Sequence, residues 1–105
     1  MSAIIIYLTC RDHQEAEIIA KALVEEQLVA CANIFAPHMS IYRWEGKIEQ
    51  GQEVAVMFKT QSKFFKKAKE RIVSLHSYEC PCVVSWPIKK GHGPFLQWVT
   101  DQTDR

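Results

Sequence analysis

The sequence predicts one α+β domain in which four strands form a single antiparallel sheet and two helices lie on one of its faces. Three observations carry that expectation. The hydrophobic period switches between two and about 3.6 residues in the order β-α-β-β-α-β. The 105 residues are the length of one domain, spanning 1–105. No repeat, linker or low-complexity tract interrupts them. That order is the split βαβ, or ferredoxin-like, arrangement, here with a long bent hairpin and a short C-terminal helix added.

Each element has its own signal. Residues 3–9, AIIIYLT, are β-branched and apolar on both faces, as a central strand requires. Asp12 is placed to cap a helix, with Glu15 completing a capping box, and the helix runs to about Gln27 on the apolar stripe Ala16, Ile19, Ala20 and Leu23. The stretches LVACANIFAPHMSIYRW and KIEQGQEVAVMFKT form a hairpin through EGK, with Gly46 at the turn and a bend at Ala36-Pro37. Ser62 is placed to cap a second helix to about His76, with Phe65, Ala68, Ile72 and Leu75 inward and Lys63, Lys66, Lys67, Lys69 and Arg71 in water. CVVSWPI is the last strand, and Gly93-Pro94 opens the C-terminal helix.

Two features do not suit a monomer. A strand from Leu28 to Trp44 would extend roughly 50 Å, beyond the reach of a domain with a radius of gyration near 13 Å. In LVACANIF and VAVMF both alternating sets are apolar or small, whereas a sheet with one wet face alternates cleanly. Copies of the same chain are the simplest cover, so an obligate oligomer is expected.

Composition narrows the function. With 13 basic against 12 acidic residues the net charge is +1, which gives no general attraction to nucleic acid. The only N-terminal apolar run, Ala3 to Leu8, is too short to span a membrane and has no basic flank. A cytoplasmic location follows as an expectation, with Cys10, Cys31, Cys80 and Cys82 as thiols. No G-x-S-x-G, P-loop, dinucleotide turn or H-E-x-x-H occurs, so the chain is expected to be no enzyme.

The stretch HSYECPCVV, residues 76–84, gathers the remaining candidates. His76 and Glu79 could chelate a divalent ion if the chain turns at Ser77. Cys80 and Cys82 stand at i and i+2, on one side of an extended segment and about 6–7 Å apart. Two reduced thiols flanking a proline and a soft Cu(I) pair both satisfy that spacing, but structural zinc would need a second pair. Cys31 lies in mid-strand as a packing residue. Lys59 ends an apolar strand, where it either snorkels or meets Glu79 or an anionic ligand at a subunit boundary.

LVACANIF, SIYRWEGKIE, MFKTQ and HSYECPCVVSWPI, in that order across nearly the whole chain, resemble the CutA family of divalent-cation tolerance proteins. The resemblance implies a ferredoxin-like protomer in an intertwined homotrimer similar to the PII signalling proteins, and a cytoplasmic role linked to copper and other divalent metals. Carried over by position, the family's inter-subunit cleft residues are Cys31, Trp44, Lys59, His76, Tyr78 and Glu79. Copper ligands used in some members fall on Leu8, Leu75 and His76, so one donor of three is kept. Ser77 and Cys82 replace a proline and a carboxylate of the family's H-P-Y-E-x-P-E. The alternative it implies is a PII-like module taking a small anionic ligand on Lys59.

Overall fold

Ile4, Ile6, Leu8 and Cys10, alternate residues of the first strand, are all buried, and the rest of the structure is arranged around that row. The computed structural model describes residues 2–103. In chain order it contains β1 (Ala3–Cys10), α1 (His13–Glu25), β2 (Cys31–Ile34), β3 (His38–Trp44), β4 (Lys47–Gln61), α2 (Phe65–Leu75), β5 (Val83–Pro87) and α3 (Gly93–Thr103). The strands run in the order β2-β4-β1-β5, with β3 also paired to β4, and every pairing is antiparallel. This is the ferredoxin-like α+β sheet expected from the element order.

The core lies between the sheet and the first two helices. Val54, Val56 and Phe58 of β4 share the face of Ile4, Ile6 and Leu8 and meet Ala16, Ile19, Ala20 and Leu23 of α1 and Ala68 and Ile72 of α2. Both predicted helical stripes face inward, because a 3.6-residue period leaves one apolar strip to bury. Thr60 ends that face of β4 and spends its hydroxyl on the Leu28 carbonyl at 2.7 Å.

The helix ends differ in detail from the sequence expectation. Asp12 caps α1 as expected, its Oδ1 accepting from the Glu15 N–H at 2.9 Å. Glu15 closes the reciprocal half one residue early, accepting from the Arg11 N–H at 2.8 Å. Ser62 does not cap α2. The chain leaves β4 extended, the Ser62 N–H donates to the Ser2 carbonyl, and a 3₁₀ turn over Ser62–Phe64 feeds the helix without a side-chain cap. Arg71 of α2 then grips Glu26 with two guanidinium nitrogens at 2.9 and 3.0 Å, tying α2 to the end of α1.

Helix α1 stops in a Schellman turn. The Leu28 N–H donates to the Leu23 carbonyl, and the Gln27 N–H to Val24. Gln27 takes the left-handed position of that turn, φ 59°, which costs a side-chain-bearing residue about 1–2 kcal/mol. Glycine there loses more backbone entropy, about 0.5–1 kcal/mol. Gln27→Gly is therefore expected to stabilise by about 0.5 kcal/mol, read as a higher denaturant midpoint at unchanged slope. A lower midpoint would contradict the strain account.

The hairpin is bent on one side only. Between the pairs Ile34↔Val56 and His38↔Glu53, one side advances four residues while β4 advances three. That single extra residue is a bulge at Phe35-Ala36-Pro37, where proline has no donor for the ladder. Glu45 and Gly46 both have positive φ, 49° and 79°, as a two-residue turn with the right-handed strand twist requires. The signal at Gly46 was visible in sequence, but the matching strain on Glu45 was not.

Beyond the bulge the arm leaves its own domain. The radius of gyration is 14.3 Å and the extents 45 × 25 × 23 Å, against about 13 Å for a compact chain of this length. Met39, Ile41 and Ile48 lie on one side of the arm, 63, 67 and 69% exposed. On the sheet face turned away from α1 and α2, Tyr7 packs on Trp86 with ring centroids 6.3 Å apart, and Val84 and Trp86 remain exposed. Helix α3 covers one end of the sheet, docked where Gln61 Nε2 donates to Thr103 Oγ1 at 2.9 Å in a buried bond.

Candidate functional site

The segment linking α2 to β5 is held by a chain of hydrogen bonds that starts in α1. The buried Glu15 carboxylate accepts from the Ser77 N–H through Oε2 at 2.8 Å while Oε1 holds Arg11. Burial pushes this carboxyl up, but the hydrogen bonds from Ser77 and Arg11 outweigh it and hold it below the usual carboxylate range. Next along, the His76 side chain is fully buried. Its Nδ1 accepts from the Tyr78 N–H at 3.0 Å, so Nε2, 2.8 Å from the Thr9 carbonyl, carries the proton and donates.

Tyr78 continues the chain outward. Its ring lies 4.6 Å from that of His76, and its hydroxyl donates to Glu53 Oε2 on β4 at 2.8 Å. Burial first, and that bond second, raise the phenol far above its ordinary range, so it acts as a fixed donor. The loop is thereby pinned both to β1 and to the root of the arm.

Against this framework opens a cavity of about 420 Å³. Thr9 forms its floor at the end of β1; Ser40, Tyr42 and Trp44, alternate residues of β3, form one wall with Glu53; Tyr78, Glu79, Cys80 and Cys82 form the other. Two carboxylates and two thiols line it, and no lysine, arginine or histidine does. Burial, then Glu53, raises the Cys82 thiol. Such a lining favours a cation with an apolar or aromatic surround over an anion.

A second donor cluster lies behind the cavity wall. Ligand atoms of Cys10, Glu15 and His76 all fall within 4.8 Å of one another. The set has mixed S, O and N character, but its capacity is spent. Both histidine nitrogens and both carboxylate oxygens already hold partners, and burial, followed by Glu15, Asp12 and Glu53, pushes the Cys10 thiol up to about 12. A metal there would have to displace the bonds that fix the loop, so this cluster fits a structural role better than a coordination site.

The candidates read from sequence divide accordingly. Trp44, Tyr78 and Glu79 meet in the cavity. His76 stands behind it, and Cys31 and Lys59 are elsewhere, opposite one another on β2 and β4, with Lys59 Nζ donating to Asn33 Oδ1 at 2.7 Å. Leu8 is fully buried in the core and Leu75 packs against it, so neither reaches an ion. Thr9, Ser40, Tyr42 and Glu53 were not foreseen. The period of two in S-I-Y-R-W, which puts Ser40 and Tyr42 on the same side as Trp44, was the signal that could have found two of these four.

These features describe a ferredoxin-like domain with an anionic, aromatic-walled cleft at the root of a projecting hairpin. The chain belongs to the CutA1 divalent ion tolerance protein family, whose pattern matches residues 4–102. It is 42% identical over 99 residues to a divalent-cation tolerance protein CutA of Archaeoglobus fulgidus, covering 94% of this chain and 96% of that one. It is 41% identical over 98 residues to human protein CutA, of which it spans 55%. Among solved structures, a CutA from Archaeoglobus fulgidus described as periplasmic superposes with a TM-score of 0.95 at 41% identity, covering 97% of this chain and 99% of that one. A CutA from Xylella fastidiosa superposes with a TM-score of 0.96 at 35% identity, covering 99 and 100%.

Proposed function

We propose that this chain serves tolerance to divalent metal ions by binding, not catalysis, and that the cation is taken in the cleft beside Glu79. The observation that carries the reading is the lining itself: Glu53, Glu79, Cys80 and Cys82 supply every ionisable donor besides two tyrosines, with no basic side chain to oppose a cation. His76 then acts as a positioning residue, holding Tyr78 and the loop. The names of the relatives, divalent-cation tolerance proteins, support the metal class.

The same proposal includes a cytoplasmic homotrimer. Two apolar surfaces stand open in the single chain, the sheet face bearing Val84 and Trp86 and the arm bearing Met39, Ile41 and Ile48, and identical copies would cover both. The four cysteines are free thiols, the state a reducing compartment maintains, and among the described residues no helix is long and apolar enough to cross a membrane. The alternative of an anionic ligand on Lys59 would require a neighbouring copy to bring that lysine to the cleft, because within one chain it lies outside the cavity.

Calorimetric titration of the reduced protein with Cu(II) and Zn(II) tests the cation reading. Glu79→Gln is expected to weaken binding about tenfold, ~1.4 kcal/mol, since it removes a charge from the cleft without altering its shape. Equal binding by both proteins would remove Glu79 from the site, and no binding by the wild type would end the metal reading.

A further inference from the structure

We propose that the cleft is also a binding site for a small quaternary ammonium compound, a choline-like cation seated against Tyr42, Trp44 and Tyr78 and balanced by Glu53 and Glu79. This goes beyond the metal reading and shares with it only the negative lining, so either can fail alone. Tyr42 and Trp44 line the cavity from alternate positions of β3, which sets their Cα atoms about 7 Å apart on one side of the strand. A cation lodged between them is within reach of both rings, whose attraction extends to roughly 6 Å from the centroid. Both residues remain open, 49 and 43% exposed, and among the described residues neither stacks on another ring. Tyr78 is fixed in the opposite wall, its ring braced by His76 at 4.6 Å and its hydroxyl by Glu53 at 2.8 Å.

The size of the cleft and the spread of its acidic groups choose the guest. A volume of about 420 Å³ falls within the range of small-molecule pockets, about 300–1,000 Å³, and leaves room for more than a single ion. Among the described residues, the one set of three ligating groups that converges is Cys10, Glu15 and His76, behind the wall; the carboxylates and thiols of the cleft form no such set. A primary ammonium is strongly hydrated and gives up its water only for several converging acceptors. A quaternary ammonium has no N–H to satisfy, so aromatic surfaces with carboxylates nearby suffice. No basic side chain lines the cleft to repel it, and Glu53 is held at the root of the arm by Tyr78.

Choline chloride is titrated calorimetrically into the full chain freed of metal by a chelator, beside ethanolamine and dimethylbutanol, the neutral isostere in which carbon replaces the charged nitrogen. Choline is expected to bind at least about tenfold more tightly than either. Trp44→Leu, which keeps apolar bulk but removes the ring, is expected to weaken choline about fivefold to tenfold and to leave the Zn(II) titration unchanged. Tyr42→Leu repeats the test on the neighbouring ring, and circular dichroism and sedimentation check that each variant keeps the wild-type fold and mass. Dimethylbutanol binding as tightly as choline overturns the proposal by reducing the cleft to an apolar pocket, and ethanolamine binding as tightly overturns the choice of a quaternary cation. Choline affinity unchanged in both ring variants overturns it by placing the site elsewhere. A wild type that binds no choline removes it outright, and the metal reading then stands or falls by its own titration.

Discussion

Glu15→Ala is expected to destabilise the fold by about 2–3 kcal/mol at neutral pH, more than any other single change to a polar side chain considered. The carboxylate is the sole side-chain acceptor for two backbone donors from different parts of the chain, Arg11 and Ser77. Each donor stranded on its removal costs about 1–3 kcal/mol. The lower half of the range applies here, because Arg11 and Ser77 are themselves exposed and water can reach part of what is lost. The effect has a pH signature. The folded-state pKa lies below its ordinary value of 4.5, so the stabilisation is complete above 4.5 and disappears as pH falls through the folded value. Wild type and variant should therefore converge in acid, with the variant's profile lacking this loss. Parallel profiles from pH 7 to below 4 in denaturant melts would show that Glu15 is not the group responsible. Glu15→Gln, which keeps one acceptor oxygen, should fall between the two.

Ile41→Lys combined with Ile48→Lys is expected to reduce the proposed trimer to single chains of 12.1 kDa in sedimentation while leaving the fold intact. Both residues occur on the same side of the arm, since Ile48 pairs with Arg43 and Arg43 is two residues from Ile41. Neither touches the core. Burying such a side chain against a partner contributes about 1.5–3 kcal/mol, and lysine replaces that gain with a charge that resists burial. The wild type should sediment at about three times the chain mass. A wild type that runs as a folded monomer would overturn the trimer, and a double variant that still assembles would confine the contact to the sheet face.

What the sequence revealed follows from which interactions are local. Element order, both helical stripes, the Asp12 cap and the bend at Pro37 depend on neighbours within a few residues, and all appear where expected. The 3₁₀ entry to α2 was hidden because the Ser62 N–H is taken by Ser2, 60 positions away, which no local cap rule contains. Glu15 was read as half of a capping box, yet its other oxygen serves Ser77, a partner from the far side of the domain. The cleft was legible only in part for the same reason. HSYECPC advertises itself by composition, whereas Glu53 sits in KIEQGQE, which looks like the wet edge of any strand until β4 is registered against β3 and Tyr78 reaches across.

Strand β4 runs unbroken for 15 residues, and its two halves live in different surroundings, Val54–Gln61 against the core and Lys47–Glu53 in the arm. In a single chain its amides should thus exchange with solvent along a steep gradient, slowest near Phe58 and fastest near the hairpin turn, and cover of the arm by neighbouring copies would flatten it. Glu53 sits at the boundary of that gradient. The wall of the cleft is cantilevered from the buried half of β4, so whatever covers the arm also sets where Tyr42 and Trp44 stand relative to Glu53.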